Sequence, residues 1–285
     1  MVKKFYENHL KNYLMRCAGM KSSLCVRSSM LLAFFLLFIS VSPALAHFGM
    51  IIPSDPIIDN NDKQKSVQLD IKFLHPMEGV MMDMARPELF VTVRGREKAD
   101  ISNLLKEHRT ASGLRYWSAA YEIKRPGDHV FLVRPQPYWE PAEDKFIIHL
   151  TKVCVNAFGM ENGWDKPVGA EVEIVPLSRP YGLWTGNCFT GQVLKQGKPV
   201  PFAEIEVEYL NPIKNGKPSV TPPDAPFITQ IIKADENGIF HYSMPRAGWW
   251  GFAALIDADY KIKKDGKDKD VELGAVYWVN CTDMK

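Results

Sequence analysis

Apolar and polar residues alternate along several short segments of the chain. Residues 67–73 read VQLDIKF, residues 171–175 read EVEIV and residues 203–209 read AEIEVEY, so apolar side chains occupy every second position. This period of two predicts β-strands that bury one face. Runs rich in Val, Ile and Phe at 129–133 and 146–155 predict further strands.

Helical patterns are nearly absent, and residues 100–107 are the only segment that could form a helix. Many short strands separated by Pro, Gly, Asn and Asp are typical of antiparallel β-sandwiches. The motif pattern changes near residue 180, and the chain is longer than a usual single domain. We therefore predict an all-β protein with two antiparallel β-sandwich domains, one over residues 47–180 and one over residues 186–285.

The first 46 residues have the features of a cleaved signal peptide. Residues 30–41 form an apolar run, Lys21 and Arg27 precede it, and Ala44-Leu45-Ala46 is a small-residue cleavage site. The apolar run is too short to span a bilayer as a helix, which takes about 20 residues. The sequence therefore predicts export and no membrane span after processing.

Removal of this segment changes the charge balance. The whole chain has 35 Lys and Arg and 33 Asp and Glu, for a formal charge of +2. Residues 1–46 hold six basic residues and one acidic residue, so the remainder has 29 basic and 32 acidic residues and a net charge of −3. No basic patch is left to bind nucleic acid, and we expect no such partner.

Three of the five cysteines lie outside the predicted signal peptide. Cys188 and Cys281 flank the second predicted domain, and the ends of a small sandwich often lie close together. We therefore predict a disulfide between them in an oxidising compartment. Cys154 lies in an apolar strand and is expected to be a buried thiol.

Histidines are the candidate metal ligands. Cleavage after Ala46 would make His47 the first residue, with an α-amino group and an imidazole that can chelate a transition metal together. His75 ends the alternating strand on its inward face, and Pro76 breaks the strand directly after it. Several methionines follow His75, and they are either soft ligands or core filler. His75 itself is either a core histidine or a ligand, and His149, in the strand predicted at 146–155, is a core or cleft residue.

Enzyme motifs are missing from the sequence. There is no G-x-S-x-G, no H-E-x-x-H and no glycine-rich phosphate loop. Acidic pairs such as Glu171 and Glu173 alternate with apolar residues, which indicates a solvent-exposed face. We therefore predict a binding protein and not an enzyme. The aromatic pairs at 138–139 and 249–250 leave a carbohydrate-binding or protein-binding module as an alternative.

Two segments in the second half carry a resemblance to a known module. Residues 191–209 read GQVLKQGKPVPFAEIEVEY, and residues 233–254 read KADENGIFHYSMPRAGWWGFAA. This stretch resembles a transthyretin-like or carboxypeptidase-regulatory-like domain. The resemblance implies a sandwich of the immunoglobulin-like or transthyretin-like kind.

The whole exported chain resembles a family of periplasmic components of nickel or cobalt uptake systems of the energy-coupling-factor type. The segments that carry this resemblance are AHFGMIIP, FLHPMEGVMMDMARPELF, YWEPAEDKFIIHLTKV and EIVPLSRPYGLWTGN. It implies a periplasmic location, a nickel or cobalt ion as cargo and a membrane transporter complex as partner. It also favours His149, which precedes Thr151-Lys152-Val153 as the family pattern has it. The predicted metal ligands are thus His47, His75 and His149, with copper or zinc as further possible ions.

Overall fold

The computed structural model describes residues 47–63 and 65–284, and the predicted signal peptide lies outside the described residues. Within them the regular structure consists of β-strands and two single-turn 3₁₀ helices, Ser102–Leu104 and Ala225–Phe227. The prediction of an all-β fold is confirmed. Residues 100–107, the one segment whose sequence could form a helix, contain one of the 3₁₀ turns and then enter a strand. No helix in the described part of the chain is long and apolar enough to cross a membrane.

The first half of the chain contributes twelve strands. They are β1 (Phe48–Pro53), β2 (Ile57–Ile58), β3 (Ser66–His75), β4 (Val80–Met81), β5 (Leu89–Arg94), β6 (Glu97–Asp100), β7 (Lys106–Arg109), β8 (Arg115–Glu122), β9 (Gly127–Arg134), β10 (Tyr138–Glu140), β11 (Lys145–Ala157) and β12 (Val172–Pro176).

The second half contributes twelve more. They are β13 (Leu183–Trp184), β14 (Cys188–Lys195), β15 (Lys198–Pro199), β16 (Glu204–Tyr209), β17 (Ile213–Lys214), β18 (Lys217–Pro218), β19 (Gln230–Lys233), β20 (Ile239–Ser243), β21 (Gly248–Asp257), β22 (Ile262–Lys264), β23 (Lys267–Lys269) and β24 (Val271–Thr282).

One large sheet runs through both halves. Its eleven strands follow the order β19-β16-β21-β24-β11-β9-β5-β6, with β2, β10 and β13 paired at its sides. At the centre β11 and β24 pair in parallel, from Phe146 opposite Val271 to Val153 opposite Trp278. The division into domains at residues 180 and 186 stays a prediction. If the halves are domains, they share backbone hydrogen bonds across a continuous sheet.

A smaller sheet covers each face of the large one. The sheet β1-β3-β8-β7, extended by β4, packs on one face, and the sheet β12-β14-β15, extended by β20, packs on the other. Strand β24 contributes to both cores, because Val276 and Trp278 face the first small sheet while Ala275 and Tyr277 face the second. A strand buried on both faces needs a nearly continuous apolar sequence, as β24 has.

The predicted disulfide is wrong, since Cys154, Cys188 and Cys281 are all free thiols in the structure. Cys188 is exposed at the start of β14 in a small sheet, whereas Cys281 is buried near the end of β24 in the large sheet. The Cys281 thiol donates a hydrogen bond to the carbonyl of Arg246 at 3.1 Å. Cys154 is buried, as predicted, and burial raises the pKa of its thiol.

The prediction that Glu173 lies on a solvent-exposed face is also wrong. Its side chain is 1% exposed and accepts a hydrogen bond from Lys152 Nζ at 2.6 Å. The backbone N–H groups of residues 168–170 donate to the same carboxylate. Alternation along β12 does not reveal this burial, because the groups that contact Glu173 lie on β11 and in residues 168–170.

Candidate metal centre

His47 and His75 meet at one end of the small sheet that contains β1 and β3. These strands pair antiparallel with Phe48 opposite Leu74, and the same register places His47 opposite His75. Their ring centroids are 4.7 Å apart, and the rings meet edge to face. Residues directly opposite each other on antiparallel strands have neighbouring side chains. The fold therefore brings together two of the three predicted ligands.

Glu140 holds the imidazole of His47. Its Oε2 lies 3.0 Å from His47 Nε2. The His47 ring also stacks on Phe73 at 5.6 Å and lies 5.8 Å from the ring of Tyr138. Because a carboxylate only accepts hydrogen bonds, Nε2 carries the proton of the neutral imidazole. The lone pair of that ring is then on Nδ1.

His75 is buried at the end of β3, where Pro76 stops the strand. Its Nδ1 approaches Glu78 Oε2 at 3.4 Å. The approach lacks hydrogen-bond geometry, so this buried nitrogen has no hydrogen-bond partner in the described part of the protein. A buried polar atom without a partner is costly unless a bound species satisfies it.

His149 lies deeper, on β11. Its ring stands perpendicular to Phe73 at 5.9 Å, and the N–H of Gly49 donates to its Nδ1 at 3.4 Å. Gly274 is opposite His149 on β24, and a Cβ at that position would lie 2.3 Å from Cδ2 of the ring. The absence of that Cβ makes room for the imidazole. The hydrogen bond from Gly49 assigns the ring proton to Nε2, which is buried and has no partner among the described residues.

All three imidazoles are neutral near pH 7. Burial lowers the pKa of His47, and the neighbouring His75 lowers it further. Burial likewise lowers the pKa of His75. It lowers the pKa of His149 to about 3. A neutral imidazole is the form that binds a metal ion.

Two carboxyl groups on β16 have raised pKa values, and one of them, Glu208, accepts a hydrogen bond from the turn that follows His75. Burial raises the pKa of Glu206 to about 7, and the neighbouring Glu272 adds to the effect. Burial raises the pKa of Glu208 to about 8, although its carboxylate accepts hydrogen bonds from the Met77 N–H and the Thr229 hydroxyl. A carboxyl group whose pKa is about 8 is mostly protonated at pH 7, so Glu208 does not attract cations to this turn.

The histidine side chains, as the structure places them, do not form a complete metal site. Across residues 47–63 and 65–284, no group of three or more His, Cys, Asp or Glu side chains is arranged so that it could hold a metal ion. The methionines that follow His75 divide between the two cores, with Met77 in one and Met84 in the other. The Met77 sulfur contacts the Asn211 amide at 3.5 Å, which is a packing role.

A family model covers most of this architecture. Residues 44–258 match DUF4198, a domain of unknown function. The chain belongs to the DUF4198 family. No curated protein matches the sequence. Membership of DUF4198 does not specify nickel or cobalt uptake, so that finer assignment is a proposal.

Solved structures share only a distant likeness with this DUF4198 member. The D0-D1 domain of intimin is 12% identical with a TM-score of 0.21, over 81% of this chain and 99% of that one. A putative carbohydrate binding protein from Bacteroides uniformis is 11% identical with a TM-score of 0.23, over 79% and 96%. Latent PorU from Porphyromonas gingivalis is 8% identical with a TM-score of 0.22, over 80% and 20%. At this level of similarity, these structures give no information about the function of the protein.

Glu140 is the site residue that sequence reasoning missed. It belongs to a strand of three residues, too short for a periodic pattern. The pairing of β10 with β11, with Tyr138 opposite Ile147, shows that Tyr138 and Glu140 share the inward face. Tyr138 and Glu140 are two residues apart, so the sequence indicates that they share one face of a strand. It does not show whether that face points into the core, because this depends on the strand that pairs with it.

The aromatic pairs of the carbohydrate alternative do not form an open platform. Trp250 is buried, and its indole N–H donates to the carbonyl of Arg246 at 2.8 Å. The ammonium groups of Lys264 and Lys269 lie over the ring of Trp139, at 5.0 and 5.6 Å from its centroid. No structural observation favours sugar binding at these positions.

Proposed function

We propose that this protein binds a divalent transition metal ion, nickel or cobalt, as cargo in the periplasm and passes it to a membrane uptake transporter. The observation that carries the proposal is the pairing of His47 with His75, with Glu140 on Nε2 of His47. The resemblance to periplasmic components of such transporters supplies the location and the partner. Copper(II) and zinc are other ions that imidazole nitrogens accept.

The hydrogen bond to Glu140 suits an amino-terminal chelate. Cleavage after Ala46 would give His47 a free α-amino group. That nitrogen and Nδ1 can close a six-membered ring with a metal ion, whereas Nε2 points away from the main chain and cannot. Because Glu140 keeps the proton on Nε2, the lone pair of His47 is on the nitrogen that the chelate needs.

The His75 imidazole would be the third nitrogen ligand. Its Nδ1 has no hydrogen-bond partner among the described residues, and this nitrogen could coordinate only as the unprotonated one of the ring, with the Glu78 carboxylate 3.4 Å away. The predicted ligand role of His149 stays a prediction. With its proton on Nε2 and its Nδ1 engaged by Gly49, this ring would have to lose the Gly49 hydrogen bond before it could coordinate.

The test uses protein that begins at His47, titrated separately with nickel, cobalt, copper and zinc by calorimetry. An additional alanine before His47 blocks the amino-terminal chelate and leaves both imidazoles in place. We expect nickel or cobalt affinity to fall by about tenfold or more, or ~1.4 kcal/mol. His75→Ala should weaken binding to a similar degree, and His108→Ala, on the exposed strand β7, is the matched control.

Glu140→Gln tests the orientation of the His47 ring. Its amide can still contact Nε2 but no longer requires a proton there, so affinity should fall while the fold is retained. The chelate is ruled out if the extended protein binds nickel and cobalt as tightly as the protein that begins at His47. Metal binding as a whole is ruled out if none of the four ions binds.

A further inference from the structure

The turn that follows His75 carries two groups of the candidate metal centre. His75 Nδ1 and Glu78 Oε2 lie 3.4 Å apart on this turn. The Gly79 N–H closes it, since it donates to the carbonyl of His75 at 2.9 Å. The backbone conformation of residues 75–79 therefore determines where both side chains lie.

Two buried residues from the second half of the chain hold this turn, Glu208 in β16 and Asn211 just after it. The Met77 N–H donates to Glu208 Oε2 at 3.1 Å. The Asn211 N–H donates to the carbonyl of Pro76 at 3.1 Å, and Asn211 Nδ2 donates to the carbonyl of Met77 at 2.9 Å. Because proline has no N–H, these bonds satisfy all the backbone polar groups of Pro76 and Met77.

The Asn211 side chain is itself fixed by the loop that follows it. Its Nδ2 also donates to the carbonyl of Val220 at 2.7 Å. Its Oδ1 accepts from the Val220 N–H at 3.0 Å and from the Ser219 hydroxyl at 3.1 Å. Both amide hydrogens and both lone pairs of the oxygen thus have partners. Rotation of the amide by half a turn would bring its NH₂ group against the Val220 N–H, so the side chain has one orientation.

We propose that Asn211 is a positioning residue for the metal centre, which holds the backbone of Pro76 and Met77 so that His75 is in place before a metal ion binds. The inference rests on the proposed metal-binding function. It assigns part of the metal affinity to a residue 134 positions beyond Met77 in the chain. A ligand that is already ordered loses less conformational entropy on binding, so loss of this contact should weaken metal binding even where the fold persists.

The test compares Asn211→Ala with Asn156→Ala in protein that begins at His47. Asn156 is also a buried amide, and it donates to the carboxylate of Asp128 at 2.9 Å. It lies seven residues beyond His149 on β11, which is about 23 Å along an extended strand. Both variants lose buried hydrogen bonds and should lower the free energy of unfolding. Nickel or cobalt affinity, measured by calorimetry, should fall about fivefold or more in Asn211→Ala and stay unchanged in Asn156→Ala.

A second measurement needs no variant. If the hydrogen bonds of Asn211 raise the metal affinity about fivefold, bound metal must stabilise those bonds by the same factor. Saturating nickel or cobalt should therefore slow hydrogen exchange of the Val220 amide about fivefold. The Asn162 amide, which donates to Asp128 at 2.6 Å, is the control and should exchange at the same rate with and without metal.

The outcomes separate the positioning role from the proposed function. Wild-type affinity in folded Asn211→Ala, or exchange at Val220 that does not respond to bound metal, would overturn the positioning role and leave the metal-binding function standing. An equal loss of affinity in Asn156→Ala would also overturn it, because the effect would then follow general stability. A wild-type protein that binds none of the four ions would refute the proposed function, and the positioning role with it.

Discussion

Replacement of His149 by asparagine should change how the stability of this protein depends on pH. The imidazole is buried between Gly49 and Gly274, and burial lowers its pKa from the ordinary value of 6.5 to about 3. In His149→Asn the amide oxygen can still accept the Gly49 hydrogen bond, but the side chain does not titrate. The variant therefore removes the proton-binding group and keeps the contact to the backbone.

The size of the effect follows from the two pKa values. Below pH 6.5 the unfolded chain takes up a proton at residue 149 that the folded protein refuses until the pH nears 3. The stability that His149 contributes in its neutral form is therefore complete above pH 6.5 and is lost as the pH falls toward 3. At pH 5 the loss is ~2 kcal/mol, since each pH unit below 6.5 costs ~1.4 kcal/mol.

The assay is urea unfolding of the wild type and the variant at pH 7.5 and pH 5. Glu206 and Glu208 have raised pKa values, so the stability that they contribute to the folded protein is lost in the opposite direction, as the pH rises. The pH dependence of the wild type alone is therefore not diagnostic. The quantity to follow is the difference in the free energy of unfolding between the wild type and His149→Asn. That difference should shrink by ~2 kcal/mol from pH 7.5 to pH 5. His108→Asn, on an exposed strand, gives the background. A difference that is the same at both pH values would refute the burial of a neutral imidazole at this position.

Two further predictions concern the interior. Gly274→Ala would place a Cβ 2.3 Å from the ring of His149, so it should destabilise the protein by about 1–3 kcal/mol, and His149→Asn in the same chain should recover part of the loss. Lys152→Met leaves the carboxylate of Glu173 buried without its cation and should cost about 3–5 kcal/mol in urea unfolding. The matched control is Lys166→Met, whose ion pair is exposed, and an equally small loss in both variants would contradict the buried pair.

Local pattern was enough to predict several of the strands and the inward face of β3. Residues 67–73 form part of β3, and their apolar side chains are buried as the alternation indicates. The position of His75 on the inward face followed from the same count. Period-two patterning is a local property, and it needs no knowledge of the neighbouring strand.

Pairing between distant strands was not predictable in the same way. The contact of His47 with His75 depends on the register of β1 against β3, and the contact with Glu140 depends on β10. These registers are set by core packing and by turns, which a single sequence does not display. The burial of Glu173 depends on contacts from other segments of the chain, and the separation of Cys188 from Cys281 depends on which sheet contains each residue. Neither is visible in the local sequence pattern.

The parallel pairing of β11 with β24 has a consequence for the order in which the chain folds. Residues 145–157 lie in the middle of the large sheet, and the strand beside them is made from residues 271–282, at the far end of the sequence. Until residues 271–282 are synthesised, β11 keeps one edge open. Non-local pairing of this kind folds slowly and leaves strand edges exposed to other chains. Completion of this sheet therefore has to wait for β24, and a chain truncated before β24 should aggregate.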